Sequence, residues 1–262
     1  MVKNIHKKGA GMKFKTYLFI SLGISLSQST VAESFTETFH GAPKLNLNLY
    51  AFGPDVDGKI GQRHLSYVVD QPLKETIKEL DHSFMAHIDL SKGRWGLFLD
   101  HQTVETSQEK SAMSLPIALS TKLNQASYGL YYQAYLSPET TIQNYPKLVV
   151  EPTIGINHTK AEASLSALNQ TLNMATSWNE FFWGSRFKYN FDSAWNLASE
   201  VTFGVENTIS AHAYLGYRIP IMNRNLNLRA GYRYFDQDYK ANNFHWDIRQ
   251  QGPVIGINLP IF

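Results

Sequence analysis

Carboxylates and a histidine near opposite ends of the chain are the first residues whose types could support chemistry. Asp55 and Asp57 stand in the segment GPDVDGKIG, and His245 and Asp247 stand in FHWD. A histidine beside carboxylates can position a water molecule for acid–base catalysis or hold a cation. The four residues would form one cluster only if the segments that carry them are neighbours in the fold. The simpler interpretation, which we favour, is that Asp55 and Asp57 shape a Gly-Pro-Asp turn.

A second group offers a nucleophile, a base and an acidic residue that could orient the base. Ser210 and His212 are separated by one residue, and Glu200 or Glu206 could come from the preceding strand. Such a trio is a minimal arrangement for nucleophilic catalysis. The chain has no cysteine, and neither a glycine-rich phosphate loop nor a run with metal-ligand spacing stands out. The sequence therefore predicts no metal and no cofactor, and it favours a protein without enzymatic activity.

Charged residues of both signs recur at alternate positions of extended segments. These residues are Asp89, Asp100, Glu151, Arg186, Lys188, Glu200, Glu206, Arg218, Arg229 and Arg233. Alternate residues of a strand point to the same side of the sheet. We therefore expect these side chains to face a common interior, where charges of both signs usually pair with each other.

The segments that carry these residues have the pattern of strands. In NLNLRAGYRYFDQDY (225–239), small or apolar residues and tyrosines occupy the even positions from 226 to 234, and polar residues or glycine occupy the odd ones. A period of two is typical of an extended strand whose two faces meet different surroundings. Ten segments show this pattern: 44–52, 84–90, 94–102, 125–136, 147–157, 180–191, 195–206, 209–219, 225–239 and 244–262.

The connections between these segments favour a barrel. Short turns are expected near 91–93, 136–141, 191–194 and 220–225, longer loops near 54–81, 105–121 and 159–177, and shorter loops near 207 and 240. An even number of strands of ~10 residues, with short turns at one end and longer loops at the other, is typical of bacterial outer-membrane proteins. We expect an all-β, antiparallel transmembrane β-barrel of about ten strands, with eight or twelve as alternatives.

The apolar face of each strand is expected to contact lipid. Aromatic residues lie at or near strand ends, where the interfacial girdles of a membrane barrel belong; they are Trp95, Trp183, Tyr189, Phe191, Trp195, Tyr217 and Tyr232. A soluble aromatic core is the alternative. In the last segment, the apolar residues change from even positions (Trp246, Ile248) to odd ones (Ile255), so we expect a bulge at Gly252-Pro253.

The first long connection also carries a helix signal. Asp70 is a suitable N-cap, Pro72 follows in the first turn, and Leu73, Ile77 and Leu80 form one apolar stripe. We expect a short helix that covers or enters the barrel mouth. A helix that binds a partner or has a regulatory role is the alternative.

The N-terminal residues have the pattern of an export signal. Five lysines accompany an apolar run at 16–27, and small residues then lead to STVA, which suggests cleavage after Ala32. The barrel would occupy 33–262, and Met12 is an alternative start. Without the five lysines the chain has 19 basic and 22 acidic residues, so we expect no basic surface for nucleic acid.

Three motifs resemble a widespread family of uncharacterised Gram-negative outer-membrane β-barrel proteins. They are GRWGLFLD (93–100), GYRYFDQDY (231–239) and the terminal QGPVIGINLPIF (251–262). The resemblance implies a barrel of about ten strands in the outer membrane, inserted by the barrel-assembly machinery through the C-terminal strand that ends in Phe262. The family usually keeps its last Phe in phase with the outward residues, whereas Phe262 is one position out of phase with Ile261.

These features lead to an expectation about function. Eight strands leave an interior that side chains fill, and porins need sixteen or more for an aqueous channel. A narrow, largely occluded, charged lumen with a structural or narrow-passage role is therefore expected. A channel for ions or small solutes is the first alternative; the second is a surface hydrolase that resembles the ten-stranded omptin proteases, with Asp/His pairs at the extracellular rim. The expected partners are outer-membrane lipid and lipopolysaccharide, and we expect a monomer.

Overall fold

The computed structural model describes residues 40–62, 65–112, 115–167, 170–221, 224–241 and 244–262. All of them belong to one compact unit, Ser34–Phe262. The predicted export signal at 1–32 lies outside the described residues. Within the described ranges, the structure contains no helix that is long and apolar enough to cross a membrane.

The described chain consists of thirteen strands and one short helix. The strands are β1 (Lys44–Phe52), β2 (Asp55–Gln62), β3 (Leu65–Gln71), β4 (Leu80–Lys92), β5 (Trp95–Ala112), β6 (Leu115–Tyr132), β7 (Tyr135–Leu136), β8 (Leu148–Ala167), β9 (Gln170–Asn190), β10 (Trp195–Gly204), β11 (Ile209–Ile221), β12 (Arg224–Ala241) and β13 (Phe244–Pro260). The helix is α1 (Leu73–Lys78).

Ten strands form a closed antiparallel barrel. Their order is β1-β4-β5-β6-β8-β9-β10-β11-β12-β13, and β13 pairs with β1 to close the ring. The predicted all-β barrel of ten strands is therefore confirmed. The β2–β3 hairpin continues the wall beyond β1, because β2 pairs with the first half of β13. The short β7 pairs with the start of β8.

The period-two pattern determines which side chains point outward. In β12, Leu228 and Tyr232 face outward, and Tyr232 is 52% exposed. Asn227 and Phe235, at the opposite parity, are buried in the interior. A closed barrel has no free edge, so all backbone groups of the ladder can pair while the outer face stays apolar.

The two ends of the barrel differ. The end that carries the connections at 93–94 and 191–194, called the turn end here, also carries Lys44 and Phe262. Outward aromatic pairs lie at this end, including Trp95 with Tyr132 at 4.9 Å between ring centroids and Trp195 with Tyr217 at 4.8 Å. The other end, called the hairpin end, is formed by long extensions of the β5–β6, β8–β9 and β12–β13 hairpins together with β2 and β3.

The prediction of long loops at 54–81, 105–121 and 159–177 is wrong, because the first contains β2, β3 and α1 and the other two are strand extensions. Strand pairing continues to Ala112↔Leu115 in β5–β6 and to Ala167↔Gln170 in β8–β9. These extensions are rich in serine, threonine and charged residues on their outer face, as in the ion pair between Lys122 and Glu105 at 2.5 Å. Polarity on both faces looks like a loop in the sequence, but the strand pairing continues through these segments.

The predicted helix is present, with a different start. Helix α1 begins after Pro72, and no side chain caps it from the N-cap position. Asp70 belongs instead to β3, where it pairs with Asp57. The backbone N–H of Leu73 donates to Oδ1 of Asp55 at 2.5 Å, so the cap comes from the neighbouring strand.

The bulge predicted at Gly252-Pro253 is absent. The pairing of β12 with β13 runs from Asn227↔Asn258 to Ala241↔Phe244 without a shift. Trp246 and Ile248 therefore point into the interior, where both are buried. Gly252 is required for a different reason, since a Cβ at that position would lie 2.1 Å from the backbone oxygen of Gly53.

Candidate functional site in the barrel interior

The main cavity of the barrel has a volume of about 910 Å³. Gly93, Pro260 and Phe262 line it at the turn end, and Phe182 and Phe235 line it near the middle of the barrel. It is therefore reached from the turn end. The predicted charged residues Asp89, Asp100, Arg186, Lys188, Glu200, Arg218, Arg229 and Arg233 also line it.

Arg186 is the centre of an ion network that crosses the cavity. Its guanidinium lies 2.9 Å from Asp89, 3.5 Å from Glu151 and 3.7 Å from Glu200. The register explains two of these contacts, because Glu151 and Glu200 are the direct partners of Arg186 on β8 and β10. Asp89 reaches Arg186 from β4 on the far wall, so this pair divides the lumen.

The same network contains a second cation and a tyrosine. Lys188 lies 3.0 Å from Glu151, whose side chain is completely buried. Tyr131 donates from its hydroxyl to Asp89 at 2.8 Å, and its ring lies 4.2 Å below the guanidinium carbon of Arg186. Hydrogen bonds and opposite charges on all sides are what make buried ions tolerable.

Arg233 belongs to a separate hydrogen-bond network, in which Tyr50 connects it to Asp100. Its guanidinium donates to the hydroxyl of Tyr50 and to Oε1 of Gln102, both at 3.3 Å. Tyr50 in turn donates to Asp100 at 2.8 Å, and His87 lies 3.2 Å from the other oxygen of Asp100. The lumen charges were expected to pair with each other, but the hydrogen bonds of this arginine are with neutral groups.

Asparagines, not carboxylates, surround the remaining arginines. Arg229 donates to Oδ1 of Asn48 at 3.0 Å, and Arg218 donates to Oδ1 of Asn190. Asn196 and Asn227 exchange two hydrogen bonds of 3.1 Å each. The four asparagines belong to a ring of inward-facing amides near the turn end, called the asparagine belt here; it comprises Asn48, Asn190, Asn196, Asn227 and Asn258.

Two layers of side chains lie beyond the cavity toward the hairpin end. The first, called the polar layer, contains Gln102 hydrogen-bonded to Gln125, and Gln237 within 3.5 Å of both Thr159 and Glu180. The second, called the apolar plug, is built on the buried side chains of Trp178, Trp246 and Ile248. Tyr239 stacks on Trp178 at 4.5 Å between ring centroids.

The rim residues predicted as an alternative catalytic cluster are spread along the hairpin end. Asp57 forms a bidentate pair with Arg249, its direct partner on β13, at 2.6 Å. The hydrogen bonds from Arg249 to Asp57 raise the pKa of this guanidinium above its ordinary value. His245 pairs with Gly61, four residues further along the strand, and lies 4.0 Å from Asp247. Asp55 caps helix α1.

The serine, histidine and glutamate suggested as a nucleophilic trio are not arranged as one. Ser210 and His212 line the cavity, and His212 is the direct partner of Glu200 across β10 and β11. Glu200 contacts Arg186 at 3.7 Å. Glu206 is not in the lumen: it is exposed in the turn after β10, where its backbone N–H donates to Glu180 at 2.8 Å. Among the described residues, no group of three or more His, Asp or Glu side chains could hold a metal ion.

Sequence reasoning missed the asparagine belt and the two closing layers. The signal for the belt is visible in LNLNL (45–49) and NLNL (225–228), where asparagine occupies every inward position of the segment. Glu180, which is 1% exposed and accepts from Thr208 at 2.5 Å, had the inward parity of its strand but stood outside the predicted charge network.

Comparison with known proteins identifies no family. No family model and no curated protein matches the sequence. Among solved structures, Ail, the attachment invasion locus protein of Yersinia pestis, is 11% identical with a TM-score of 0.39, covering 84% of this chain and all of Ail. CdiB from Acinetobacter baumannii is 14% identical with a TM-score of 0.39, covering 78% of this chain and 40% of CdiB.

A BenF-like porin from Pseudomonas fluorescens Pf-5 is 12% identical with a TM-score of 0.27, covering 85% of this chain and 99% of the porin. With TM-scores below 0.5, these similarities establish neither kinship nor function for this chain.

Proposed function

We propose that the chain is an integral outer-membrane barrel, exported with cleavage near Ala32 and inserted by the barrel-assembly machinery through β13. The support is the outer surface, where apolar residues form a continuous band with aromatic pairs at the turn end. Lipid and lipopolysaccharide would contact this band, and the chain would act as a monomer. The turn end would face the periplasm, since short turns and both barrel termini lie there in such proteins.

Outer-membrane fractionation and heat-modifiable gel migration test this location. The folded barrel should migrate faster in the unboiled sample and should sediment with the outer membrane. A mature protein that remains in the soluble periplasmic fraction would contradict the proposal.

Within the membrane, the barrel provides a charged vestibule that is closed on the cell-surface side. The observation that carries this conclusion is the apolar plug above the polar layer, which leaves the 910 Å³ cavity reached from the turn end. A structural or narrow-passage role fits this geometry. A channel for ions or small solutes is the second candidate, because the cavity has a volume of about 910 Å³ and charged side chains line it.

Planar-bilayer conductance of the purified protein separates the two candidates. The wild type should show no stable large openings. Replacing both plug tryptophans together with the buried glutamine of the polar layer, as Trp178→Ala, Trp246→Ala and Gln237→Ala, should produce openings because it removes side chains from both closing layers. Trp183→Ala is the matched control, since that tryptophan is 52% exposed on the outer face. Stable large openings in the wild type would establish a channel instead.

The hydrolase alternative has less support. The carboxylate of Asp57 is paired with Arg249. Asp57 also lies four residues from Gly61, the residue opposite His245, so Asp57 and His245 do not form an Asp/His pair at the described rim. Turnover of peptide or lipid substrates that is lost in both Asp57→Ala and His245→Ala would revive this alternative.

A further inference from the structure

Cations outside the ion network of Arg186 also line the cavity. Lys44, Arg218, Arg224 and Arg229 all line it. Among the described residues, no carboxylate lies within 4.0 Å of the guanidinium nitrogens of Arg218 or Arg229. The carboxylates of Asp89, Glu151 and Glu200 form their ion pairs with Arg186 and Lys188 instead.

Arg218 and Arg229 also have donors without acceptors. Nη1 of Arg218 and Nε of Arg229 are buried and have no hydrogen-bond partner. Arg229 is held on one side by Asn48, and Arg218 by Asn190 and by the ring of Tyr145, 4.3 Å from the guanidinium carbon. A buried charged donor without an acceptor is costly, so a group that supplied oxygens here would bind favourably.

The register brings the two arginines to the same patch of wall. Arg229 on β12 pairs with Gly216, and Arg218 pairs with Asn227 on the neighbouring strand. Diagonal neighbours of this kind are about 7–8 Å apart at their backbones, so both guanidinium groups can reach one small anion. Gly216 keeps the wall between them open, since a Cβ there would lie 2.4 Å from Oδ1 of Asn196 and 2.7 Å from Oδ1 of Asn227.

The belt surrounds the arginines with neutral amides, so the hydrogen bonds to Asn48 and Asn190 leave the positive charge of both guanidinium groups unneutralised. Asn196 and Asn227 are fixed by their mutual hydrogen bonds, and Asn258 donates to Asn48 at 2.8 Å. Carboxylates in these positions would pair with the arginines and neutralise them. Guanidinium groups match the planar, two-oxygen edge of carboxylate and phosphate groups.

We propose that Arg218 and Arg229, framed by the asparagine belt, form a binding site for a small oxyanion that enters from the turn end. The ligand carries a phosphate or carboxylate group and is small enough for a cavity of about 910 Å³. This site does not require the hairpin end to be closed, so it stands independently of the vestibule role.

Isothermal titration of the folded, detergent-purified barrel tests the site with inorganic phosphate, sulfate and succinate as separate probes. At least one probe should bind saturably with a stoichiometry near one. Phosphate binding more tightly than succinate would assign the site to phosphoryl groups, and the reverse order would assign it to carboxylates. Raising the concentration of sodium chloride should weaken the binding.

Two substitutions should weaken the same binding. Arg229→Gln and Arg218→Gln should each reduce affinity at least tenfold, and the double variant should show no saturable binding. Arg249→Gln is the charge-matched control, because that arginine pairs with Asp57 at the outer rim, and it should bind like the wild type. Heat-modifiable migration verifies the fold of each variant. If a glutamine variant does not fold, Arg229→Lys keeps the charge but loses the planar fork and should bind more weakly than the wild type.

Two results would overturn the proposal. One is the absence of saturable binding by all three probes to the folded wild type at low ionic strength. The other is binding that is equal in the wild type and in the folded Arg218→Gln and Arg229→Gln variants, which would place the anion elsewhere.

Discussion

Arg186→Met is the substitution expected to destabilise the barrel most among single changes to the lumen network. Arg186 contacts Asp89, Glu151 and Glu200, and its side chain is 11% exposed. Methionine preserves much of the volume but removes the ion-pair partner of three carboxylates, of which only Glu151 keeps a second cation, Lys188, within 4.0 Å. Removing one member of a buried pair typically costs about 3–5 kcal/mol, because the other charge remains buried without compensation. Three carboxylates lose their cation, but the cavity beside them can hydrate them, so we expect the free energy of unfolding to fall by about 3 kcal/mol, the lower end of this range.

Urea unfolding of the barrel in lipid vesicles, monitored by tryptophan fluorescence and gel migration, measures this loss. Tyr232→Phe is the control, since Tyr232 lies on the outer face and its change should stay within about 0.5 kcal/mol. Combining Arg186→Met with Glu151→Gln should recover part of the stability, because one of the uncompensated charges is removed. If Arg186→Met is silent while Tyr232→Phe lowers the midpoint, the assignment of inside and outside is reversed.

Three further outcomes follow from individual contacts. Gly216→Val should lower the free energy of unfolding by about 1–3 kcal/mol, since its Cβ would separate Asn196 from Asn227; Ala230→Val, on the exposed outer face of β12, serves as the control in the same urea titration. Asp57→Asn should change the free energy of unfolding by at most about 1 kcal/mol, because the ion pair with Arg249 is half exposed. The urea midpoint of the variant should lie close to that of the wild type, and a large shift would contradict the exposed position of this pair. Glu180→Ala should make the turn at 205–207 susceptible to proteinase K on intact cells, because Glu180 accepts from the N–H of Glu206 and from Thr208; protection of that turn would argue against either this anchor or its exposure at the cell surface.

The strands were predictable from the sequence because side-chain parity is a local property. The alternation of Leu226 and Leu228 with Asn227 and Arg229 is present in any ten-residue window, and closure of the barrel only fixes the direction each set faces. The same parity put Arg186, Glu151 and Glu200 among the residues expected to face the interior, whereas the register that makes them direct neighbours required the folded sheet.

The partners of the arginines were not predictable, because they come from distant strands. Arg229 donates to Asn48, 181 residues away, across the seam that closes the barrel. Parity also gave a wrong result for Trp246 and Ile248, since an apolar stripe can face the interior of the barrel as well as its outer surface. The strand extensions at 105–112 and 159–167 escaped detection because both of their faces carry polar residues.

Site-directed cysteine labelling tests the central claim, that one face of each strand meets lipid and the other meets the lumen. The chain contains no cysteine, so single substitutions report without background. In barrels reconstituted in vesicles, Asn227→Cys and Arg229→Cys should react with a small water-soluble thiol reagent, and Leu228→Cys and Ala230→Cys should react only with a lipid-soluble one. Labelling that does not alternate along β12, or that alternates with the opposite phase, would contradict the account.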